Sequence, residues 1–255
     1  MNRTATDELD RLDEAFAGNR LLSTFPAEAR ALVEPFATLT ELNAGEVVHT
    51  RGSQVESCFF PFGSAMVSLV LDLSVDRSIE VASIGHEGAV GGIVSCGHAP
   101  AFARAEVLVS GPALRVAVKA LEDAKMRSAH IRNLFCRFSD YLLAQVMQSL
   151  ACNSYHSIEQ RAARWLLTAQ DRAGARIELT QETLAGLLGV QRTTVNAVIR
   201  ILQDEGLVST RRGAIRVIDR AGLKKRACGC YDVLERHFAA IVGISGNGTA
   251  PSVSP

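Results

Sequence analysis

The sequence predicts an α+β protein with an N-terminal antiparallel β-barrel of the jelly-roll type, a long dimerisation helix and a C-terminal winged helix-turn-helix. Three observations predict this fold class. Short apolar segments between turn residues fill residues 39–118, a helical pattern follows from Leu121 to about Arg172, and residues 180–218 combine two short helices with a basic hairpin. A chain of 255 residues is also long enough for two domains.

The N-terminal part opens with residues 1–20, which we expect to be flexible, and with a short helix over 21–36. The barrel is predicted from segments that alternate with Gly, Asp, Ser and Pro: EVVHT, ESCFFPF, AMVSLVLDL, SIEVASI, RAEVLVS and ALRVAV. Strands of this length and spacing are typical of a small antiparallel barrel or sandwich.

One stretch of the barrel departs from the strand rhythm. Residues 85–92, GHEGAVGG, contain four glycines, including Gly88, Gly91 and Gly92. Glycine lets the backbone approach a ligand closely, and successive N–H groups in such a turn can bind an anion. Arg104 follows on the next strand and could pair with the same anion. We therefore predict effector binding here, with a simple bend as the alternative.

The helical region has two apolar faces. One set of residues alternates spacings of four and three, as in the seam of a two-stranded coiled coil, and is the predicted dimer interface: Ile131, Phe135, Phe138, Leu142, Gln145 and Ser149. A second set lies elsewhere on the helix: Leu134, Tyr141, Leu143, Met147 and Leu150. We expect one face to pack on the barrel and the other on a second copy. A single fully buried helix is the alternative. The pattern breaks near Asn153, and Ser157 caps a further helix.

Residues 180–202, TQETLAGLLGVQRTTVNAVIRIL, predict two helices joined by a tight turn. Their apolar side chains fall where two steeply crossing helices touch: Leu184, Leu188, Val190, Val195, Val198 and Leu202. Small Ala185 lies at the crossing, and Gly189 lies at the turn, where a positive φ costs least. The remaining positions of the second helix carry short polar side chains. Such a helix is suited to the major groove of DNA, where a forked donor near its N-terminus meets base edges.

A basic hairpin follows these helices. Residues 208–218 alternate apolar side chains around Arg211, Arg212 and Gly213, which is the pattern of two short strands and a bend. A helix-turn-helix alone could be an ordinary helical hairpin in a small core. The added wing favours a DNA-binding winged helix.

The charge is unevenly distributed although the whole chain is neutral. The first 154 residues carry 13 Lys+Arg and 18 Asp+Glu, whereas the remainder carries 14 and 9. A basic C-terminal half favours a polyanion-binding module. The polar, acidic opening is unlike a signal peptide, no apolar run is long enough to cross a membrane, and six scattered cysteines fit reduced thiols in the cytosol.

A β-barrel, a long helix and a winged helix in that order, with the stretch LTQETLAGLLGVQRTTVNAVIRILQDEGLV, resemble the Crp/Fnr family of bacterial transcription regulators over roughly residues 21–240. The resemblance implies a barrel of the cyclic-nucleotide-binding type that holds a small effector. It also implies a homodimer formed by the long helices and two recognition helices that read a two-fold symmetric operator. An activator of this kind would also contact RNA polymerase.

The resemblance assigns DNA contacts one by one. Arg192 matches the family's base-reading arginine, which suits bidentate contact to guanine. Thr193 and Ala197 stand where the family has an acidic residue and a second arginine. We therefore expect an operator sequence other than the best-known one of the family. The predicted DNA-binding residues, some of them phosphate contacts, are Thr180, Gln191, Arg192, Thr193, Thr194, Asn196, Arg200, Arg211 and Arg212.

The effector site matches the family only in part. Cyclic-nucleotide members add a glutamate and an Arg-Ser or Arg-Thr pair to the glycine-rich turn. Here Ile93 stands near the glutamate position, and Ala105 follows Arg104 in place of the hydroxyl residue. A buried ribose hydroxyl without its acceptor loses binding energy. We therefore expect a small anionic or more apolar effector, or none, instead of ordinary cyclic AMP.

Metal and haem are not expected as cofactors. Haem would need an axial ligand from His49, His86, His98 or Cys96, and the first cysteine, Cys58, lies too far along the chain for an N-terminal iron–sulfur cluster. A metal- or redox-responsive site is the alternative if folding brings together Cys152, His156, Cys228 and Cys230. The sequence does not show that they meet, and unlinked core thiols are the favoured interpretation.

An enzyme is also not expected, and no catalytic residue is assigned. A cupin-like metal-dependent enzyme needs a close His-x-His pair, which the chain lacks, and a nucleophile elbow, a P-loop and a dinucleotide fingerprint are missing too.

We thus predict a cytoplasmic, homodimeric regulator that binds double-stranded DNA and no membrane. Its predicted parts are a flexible N-terminus (1–20), an effector-binding barrel (21–120), a dimerisation helix (121–154), a DNA-binding domain (155–240) and a disordered tail (241–255).

Overall fold

A computed structural model describes residues 3–74, 77–92 and 100–242 of the chain. Of the tail predicted as disordered (241–255), residues 243–255 lie outside these residues, whereas Ile241 and Val242 pack with the core of the N-terminal half. Within the described ranges no helix combines the length and the apolar character needed to cross a membrane.

The N-terminal segment, expected to be flexible or helical at the surface, is a helix packed on the β-domain. Helix α1 spans Arg3–Gly18 and buries Ala15 and Phe16. Asn19 fixes its end, because the buried amide donates to the carbonyls of Pro61 and Gly88 at 2.8 Å each. Helix α2 follows at Ala27–Val33.

The β-domain consists of two antiparallel sheets around one apolar core. The sheets have the strand orders β1-β7-β3 and β2-β6-β4-β5. The strands are β1 (Ala37–Leu42), β2 (Val47–His49), β3 (Ser57–Pro61), β4 (Met66–Ser74), β5 (Arg77–Ile84), β6 (Arg104–Val109) and β7 (Gly111–Ala117). The predicted segments thus form strands and the fold is jelly-roll-like, but the sheets remain separate where a closed barrel was expected.

Three helices follow the β-domain: α3 (Val118–Arg127), α4 (Ala129–Tyr155) and α5 (Ile158–Ala173). The helical region breaks at Ser128, whose side chain caps α4 by accepting from the N–H of Ile131. The second break comes at His156, just after the predicted one. Ser157 caps α5 as predicted, in a reciprocal capping box with Gln160.

The C-terminal part contains a winged helix. Its elements are β8 (Arg176–Ile177), α6 (Gln181–Leu188), α7 (Arg192–Asp204), β9 (Val208–Arg211), β10 (Ala214–Val217), α8 (Arg220–Arg226) and α9 (Cys230–Ile241). Strands β8, β10 and β9 form one antiparallel sheet, and the apolar side chains of α5 to α8 form its core.

Helix α9 leaves the winged helix and returns to the other half of the molecule. Phe238 and Val242 belong to the core of the β-domain. The ring of Phe238 packs edge-on against Tyr141 of α4, with centroids 4.8 Å apart, and the guanidinium of Arg20 lies 4.1 Å from its centroid. The predicted DNA-binding domain of 155–240 therefore ends in a helix that packs elsewhere.

Candidate nucleic-acid interface

The two helices of the helix-turn-helix are fixed by local contacts at their ends. Thr180 caps α6, because its side chain accepts from the N–H of Thr183 at 3.0 Å. Gly189 ends α6 in the left-handed region, at φ +66°. The next N–H, from Val190, donates to the carbonyl of Ala185 at 3.0 Å. The chain then enters α7 at Arg192 without an intervening loop.

The predicted contact face between α6 and α7 is buried. Ala185 is 3% exposed and lies at the crossing, where a larger side chain would separate the helices. The other buried members of this face are Leu184, Leu188, Val195, Val198 and Leu202. Burial of one face of α7 leaves its opposite face in solvent.

The exposed face of α7 and its N-terminus carries six of the predicted DNA-binding residues: Gln191, Arg192, Thr193, Thr194, Asn196 and Arg200. The guanidinium of Arg192 lies 3.0 Å from a carboxylate oxygen of Glu182, and both side chains are well over half exposed. An exposed ion pair contributes little free energy. Arg192 can therefore exchange this partner for the edge of a base.

The wing lies next to the N-termini of both helices. Arg211 and Arg212 are exposed at its tip, where Gly213 makes the bend at φ +74°. A cleft of about 550 Å³ separates the wing from the helices, and Thr180, Arg192 and Arg211 line it. Residues predicted separately as phosphate and base contacts thus meet at one groove. Its N-terminal helix ends and arginines favour phosphate oxygens.

The glycine-rich turn contacts the protein's own chain. A Cβ on Gly88 would overlap the ring of Phe138, and one on Gly92 would lie 2.7 Å from Val118. At Gly91 the obstacle is the backbone carbonyl of Ser57, at 2.5 Å. Gly91 and Gly92 also have positive φ. These contacts explain the glycines by packing, without a ligand.

Arg104 is occupied by carboxylates of neighbouring strands. It pairs with Asp72 at 3.0 Å and also with Glu106. The hydrogen bond with Asp72 raises the pKa of Arg104 against the effect of partial burial. Ala105 is fully buried. The predicted anion site would thus compete with two acidic side chains that already hold its arginine.

An apolar cavity lies nearby, between the β-domain and α4. Its volume is about 880 Å³, and its lining includes His49, Leu69, Phe102, Leu142 and Val146. Burial lowers the pKa of His49 below its ordinary value, so the imidazole is a neutral polar group of this lining at neutral pH. The lining also includes the polar side chains of Ser139 and Asp140. Gly91 and Gly92 also line the cavity, whereas Gly88, Arg104 and Ala105 do not.

The remaining haem candidates divide into two groups. His49 and His86 are half-buried, and burial lowers the pKa of both. Cys96 and His98 lie outside the described residues, as does Ile93 of the effector prediction.

The predicted dimer seam lies on the wrong face of α4. Ile131, Phe135 and Phe138 are at most 2% exposed and belong to the core of the β-domain, and Gln145 is 5% exposed. Leu142 and Ser149 are half-buried. Both apolar sets have similar spacing, and both contribute to the core of the β-domain, since Leu134 and Tyr141 of the second set are buried there as well.

The outward face of α4 carries four large apolar side chains. Leu143 is 53% exposed, Val146 41%, Met147 58% and Leu150 70%. Three of them belong to the second apolar set of the sequence, and Val146 was missed because it falls between the two sets. This outward patch is the surface available to a partner.

The junction between the two halves is buried and combines apolar and polar contacts. Met66, Leu108 and Val109 of the β-domain join the apolar core of the winged helix. Arg172 of α5 and Glu87 of the glycine-rich turn form an ion pair at 2.5 Å, and each residue is 6% exposed. Arg172 also donates to the hydroxyl of Ser83. Trp165 donates to Glu80 at 2.8 Å. The glycine-rich turn and β5 therefore form a docking surface for the first helix of the winged domain.

The four residues named as a conditional metal site do come together. Cys152, His156, Cys228 and Cys230 place their ligand atoms within 4.8 Å of one another. The sequence shows the spacing of Cys152 and His156 and that of Cys228 and Cys230. It does not show that these two segments come together, because their contact depends on the packing of α9 against α4.

Comparison with known proteins finds sequence similarity in the C-terminal part of the chain. Residues 160–226 match the family model of the Crp-like helix-turn-helix domain. The HTH-type transcriptional regulator Cmr of Mycobacterium tuberculosis (strain CDC 1551 / Oshkosh) is 36% identical over 61 residues, which cover 24% of this chain and 25% of that protein. The match thus spans about a quarter of the length of this curated relative.

Solved structures extend the likeness to the whole architecture. FixK2 from Bradyrhizobium japonicum has a TM-score of 0.63 and 16% identity, covering 76% of this chain and 98% of that chain. A CRP-family transcriptional regulator from Thermus thermophilus has a TM-score of 0.61 and 18% identity, covering 74% and 96%. The c-di-GMP responsive global regulator CLP from Xanthomonas campestris has a TM-score of 0.58 and 15% identity, covering 76% and 100%. At these identities the likeness shows a shared fold.

Proposed function

Because this chain has the fold of the Crp/Fnr regulators and its residues 160–226 form a Crp-like helix-turn-helix domain, we propose that it is a sequence-specific DNA-binding transcription regulator. It acts as a homodimer on a two-fold symmetric operator. Such a protein works where the chromosome is, in the cytoplasm, and an activator of this type would also contact RNA polymerase. The similar proteins include transcription regulators, which supports the expectation that this protein is not an enzyme.

One observation carries the proposal. Helix α7 buries its apolar face and leaves Gln191, Arg192, Thr193 and Asn196 in solvent beside the basic wing. A helix with this division enters the major groove with its N-terminal side chains against the bases, while the wing and helix ends meet phosphates.

The test is selection of bound sequences from random duplex DNA by the full chain. We expect a two-fold symmetric operator. The variant Arg192→Ala should lose preference at one base pair in each half-site, at a cost on the order of 1–3 kcal/mol. The control is Arg127→Ala, which removes an exposed arginine of α3 outside the winged domain. Failure to enrich a symmetric site, or an unchanged preference in Arg192→Ala, would contradict the proposal.

We assign the dimer contact to the outward patch of α4: Leu143, Val146, Met147 and Leu150. Two copies of this helix, side by side, would bury these side chains against each other in an isologous interface. The same patch borders the apolar cavity through Leu143 and Val146. A molecule bound in the cavity would therefore contact the proposed dimer interface. That interface sets the spacing of the two recognition helices.

Analytical ultracentrifugation tests this assignment. The double variant Met147→Glu and Leu150→Glu should sediment as a monomer, because it places like charges in the paired patch. Asn133→Glu adds a carboxylate at an exposed position near the other end of α4 and should leave the dimer intact. If the double variant remains dimeric, the interface lies elsewhere.

We place effector binding in the apolar cavity and not at Arg104. The cavity offers a few polar groups, those of His49, Ser139 and Asp140, among mostly apolar side chains, which suits a small and largely apolar molecule. Filling it with Leu69→Trp should abolish the effector's influence on DNA affinity, whereas Arg104→Ala should retain it. The opposite result would restore the anion site. The screen uses operator DNA with and without cell extract, so that a required small molecule is detected.

A further inference from the structure

A compact group of three cysteines and one histidine lies where the long helix meets the C-terminal helix. Cys152 is in the last turns of α4, and His156 is the residue that ends this helix. Cys228 and Cys230 lie just before α9 and at its first position. Residues four apart on a helix lie on one face, so α4 offers a thiol and an imidazole to two thiols of the returning chain.

The distances in this group fit one metal ion. The sulfur atoms of Cys152 and Cys228 are 3.5 Å apart, and so are the sulfur of Cys230 and Nδ1 of His156. Zinc bonds of about 2.3 Å to sulfur and about 2.0–2.1 Å to nitrogen, in a tetrahedron, separate neighbouring ligand atoms by roughly 3.5–3.8 Å. The ligand atoms all lie within 4.8 Å of one another, so small side-chain adjustments complete the tetrahedron.

The surroundings favour a thiolate at Cys230. All three cysteines are at most 4% exposed and form a cluster separate from both apolar cores. Cys230 is at the N-terminus of α9, where helix N–H groups favour negative charge. The amide of Gln148 donates to its sulfur at 2.9 Å.

We propose that Cys152, His156, Cys228 and Cys230 bind a zinc ion that joins the end of α4 to the start of α9. Three thiolates and one imidazole fill all four tetrahedral positions, which is the composition of a structural zinc site. Each thiol releases its proton as the metal binds. A disulfide between Cys152 and Cys228 would use two of these side chains and leave the convergence of the other two unexplained.

The site also lies at the hinge of the molecule. His156 separates α4 from α5, so the metal would hold the long helix and the winged domain in a fixed relation. Buried Arg161, one turn into α5, donates to the carbonyl of Leu188 at the end of α6. This consequence, a hinge fixed by zinc, rests on the proposed function.

The test is metal analysis of the full chain, purified with a reductant and without a metal-affinity tag. We expect about one zinc ion per chain. After removal with a chelator, Co²⁺ should give thiolate-to-metal charge-transfer absorption and the d–d bands of a tetrahedral site. Cys228→Ser and Cys230→Ser should lose the zinc and the charge-transfer intensity. Cys136→Ser, which changes an exposed thiol of the same helix, should keep both.

Measurement of the wild-type protein avoids dependence on variants that fold poorly. Absence of zinc together with a Co²⁺ spectrum lacking charge-transfer bands would overturn the proposal, and so would equal zinc in Cys228→Ser. A Cys152–Cys228 disulfide in the purified protein, found by peptide mass spectrometry, would also overturn it.

Operator binding with and without zinc separates this inference from the proposed function. If zinc fixes the hinge, removal of zinc with a chelator should lower the affinity for the operator. Addition of Zn²⁺ should restore this affinity. Zinc binding without any DNA binding would count against the regulator and not against the metal site. DNA binding by a protein that takes up no zinc would count against the metal site alone.

Discussion

The recognition helix α7 and the glycine-rich turn at residues 85–92 differ in what their side chains and backbone touch. On α7 the polar residues lie in solvent, and Arg192 has only an exposed carboxylate beside it. In the turn, Gly88 lies under Phe138, and Glu87 is paired with Arg172 of α5. One region has its polar groups available to a partner, and the other uses them to hold the molecule together.

The difference shows which patterns identify a binding surface. A helix with one apolar face buries that face, so the polar residues opposite remain exposed. Glycine is required wherever a backbone is approached closely, whether by a ligand or by a side chain of the same protein. A glycine-rich turn therefore predicts a close contact with the backbone, but it does not show whether a ligand or a side chain of the same protein makes that contact.

The largest expected effect comes from the ion pair that joins the turn to α5. Glu87→Ala leaves the buried guanidinium of Arg172 without its carboxylate, which should lower the free energy of unfolding by about 3–5 kcal/mol. The control is Glu178→Ala, which breaks an exposed pair with Arg176 and should cost less than about 1 kcal/mol. Equal urea denaturation midpoints for the two variants would show that the turn does not anchor α5.

A smaller loss is expected at the packed glycine. Gly88→Ala forces a methyl group against the ring of Phe138 and should destabilise the fold by about 1–3 kcal/mol in urea denaturation. Gly186→Ala adds the same methyl group in α6, where no atom lies within 4 Å. That control should be neutral or stabilising by up to about 1 kcal/mol. If Gly88→Ala is also neutral, the turn has room for a ligand after all.

On the DNA side, Arg212→Ala should weaken binding to operator and random duplexes alike, by about 1 kcal/mol. A contact to a phosphate positions the protein on the duplex without reading the base sequence. The slope of log affinity against log salt concentration should fall by about one. Fluorescence anisotropy at several salt concentrations measures both quantities. A loss confined to the operator would mean that the wing reads bases.

The smallest effect concerns Glu80, which accepts from Trp165 across the junction. Burial raises the pKa of Glu80, against hydrogen bonds from Ser68 and Trp165 that lower it. A carboxyl group whose pKa is higher in the folded protein stabilises it below the unfolded value of 4.5 and loses this contribution as the pH rises through the folded pKa. Glu80→Gln keeps an acceptor for Trp165 and does not ionise.

Glu80→Gln should therefore raise the denaturation midpoint slightly at neutral pH, and the gain should fade as the pH falls below 4.5. Urea denaturation across this pH range makes the comparison. A gain that is the same at every pH would show that the carboxyl does not titrate in the folded protein at these pH values.

The winged helix could be predicted because its determinants are local. The cap at Thr180 and the left-handed Gly189 are readable within a few residues. The face of α4 could not be assigned, since two apolar sets share nearly the same spacing. Which of these side chains are buried depends on contacts such as that of Gln145 with the backbone of Ser83 in β5. The approach of Cys228 to Cys152 likewise depends on the path of α9.

Because α9 packs with the core of the β-domain, the DNA-reading module is topologically an insertion between α4 and α9. Both its entry and its exit lie beside the N-terminal half. A domain exchange that replaced everything after α4 would strip Phe238 from Tyr141 and expose an apolar surface. A chimaera that replaces 158–226 and retains the last helix would keep Phe238 on Tyr141, and its new segment would need counterparts of Trp165 and Arg172 to hold the junction.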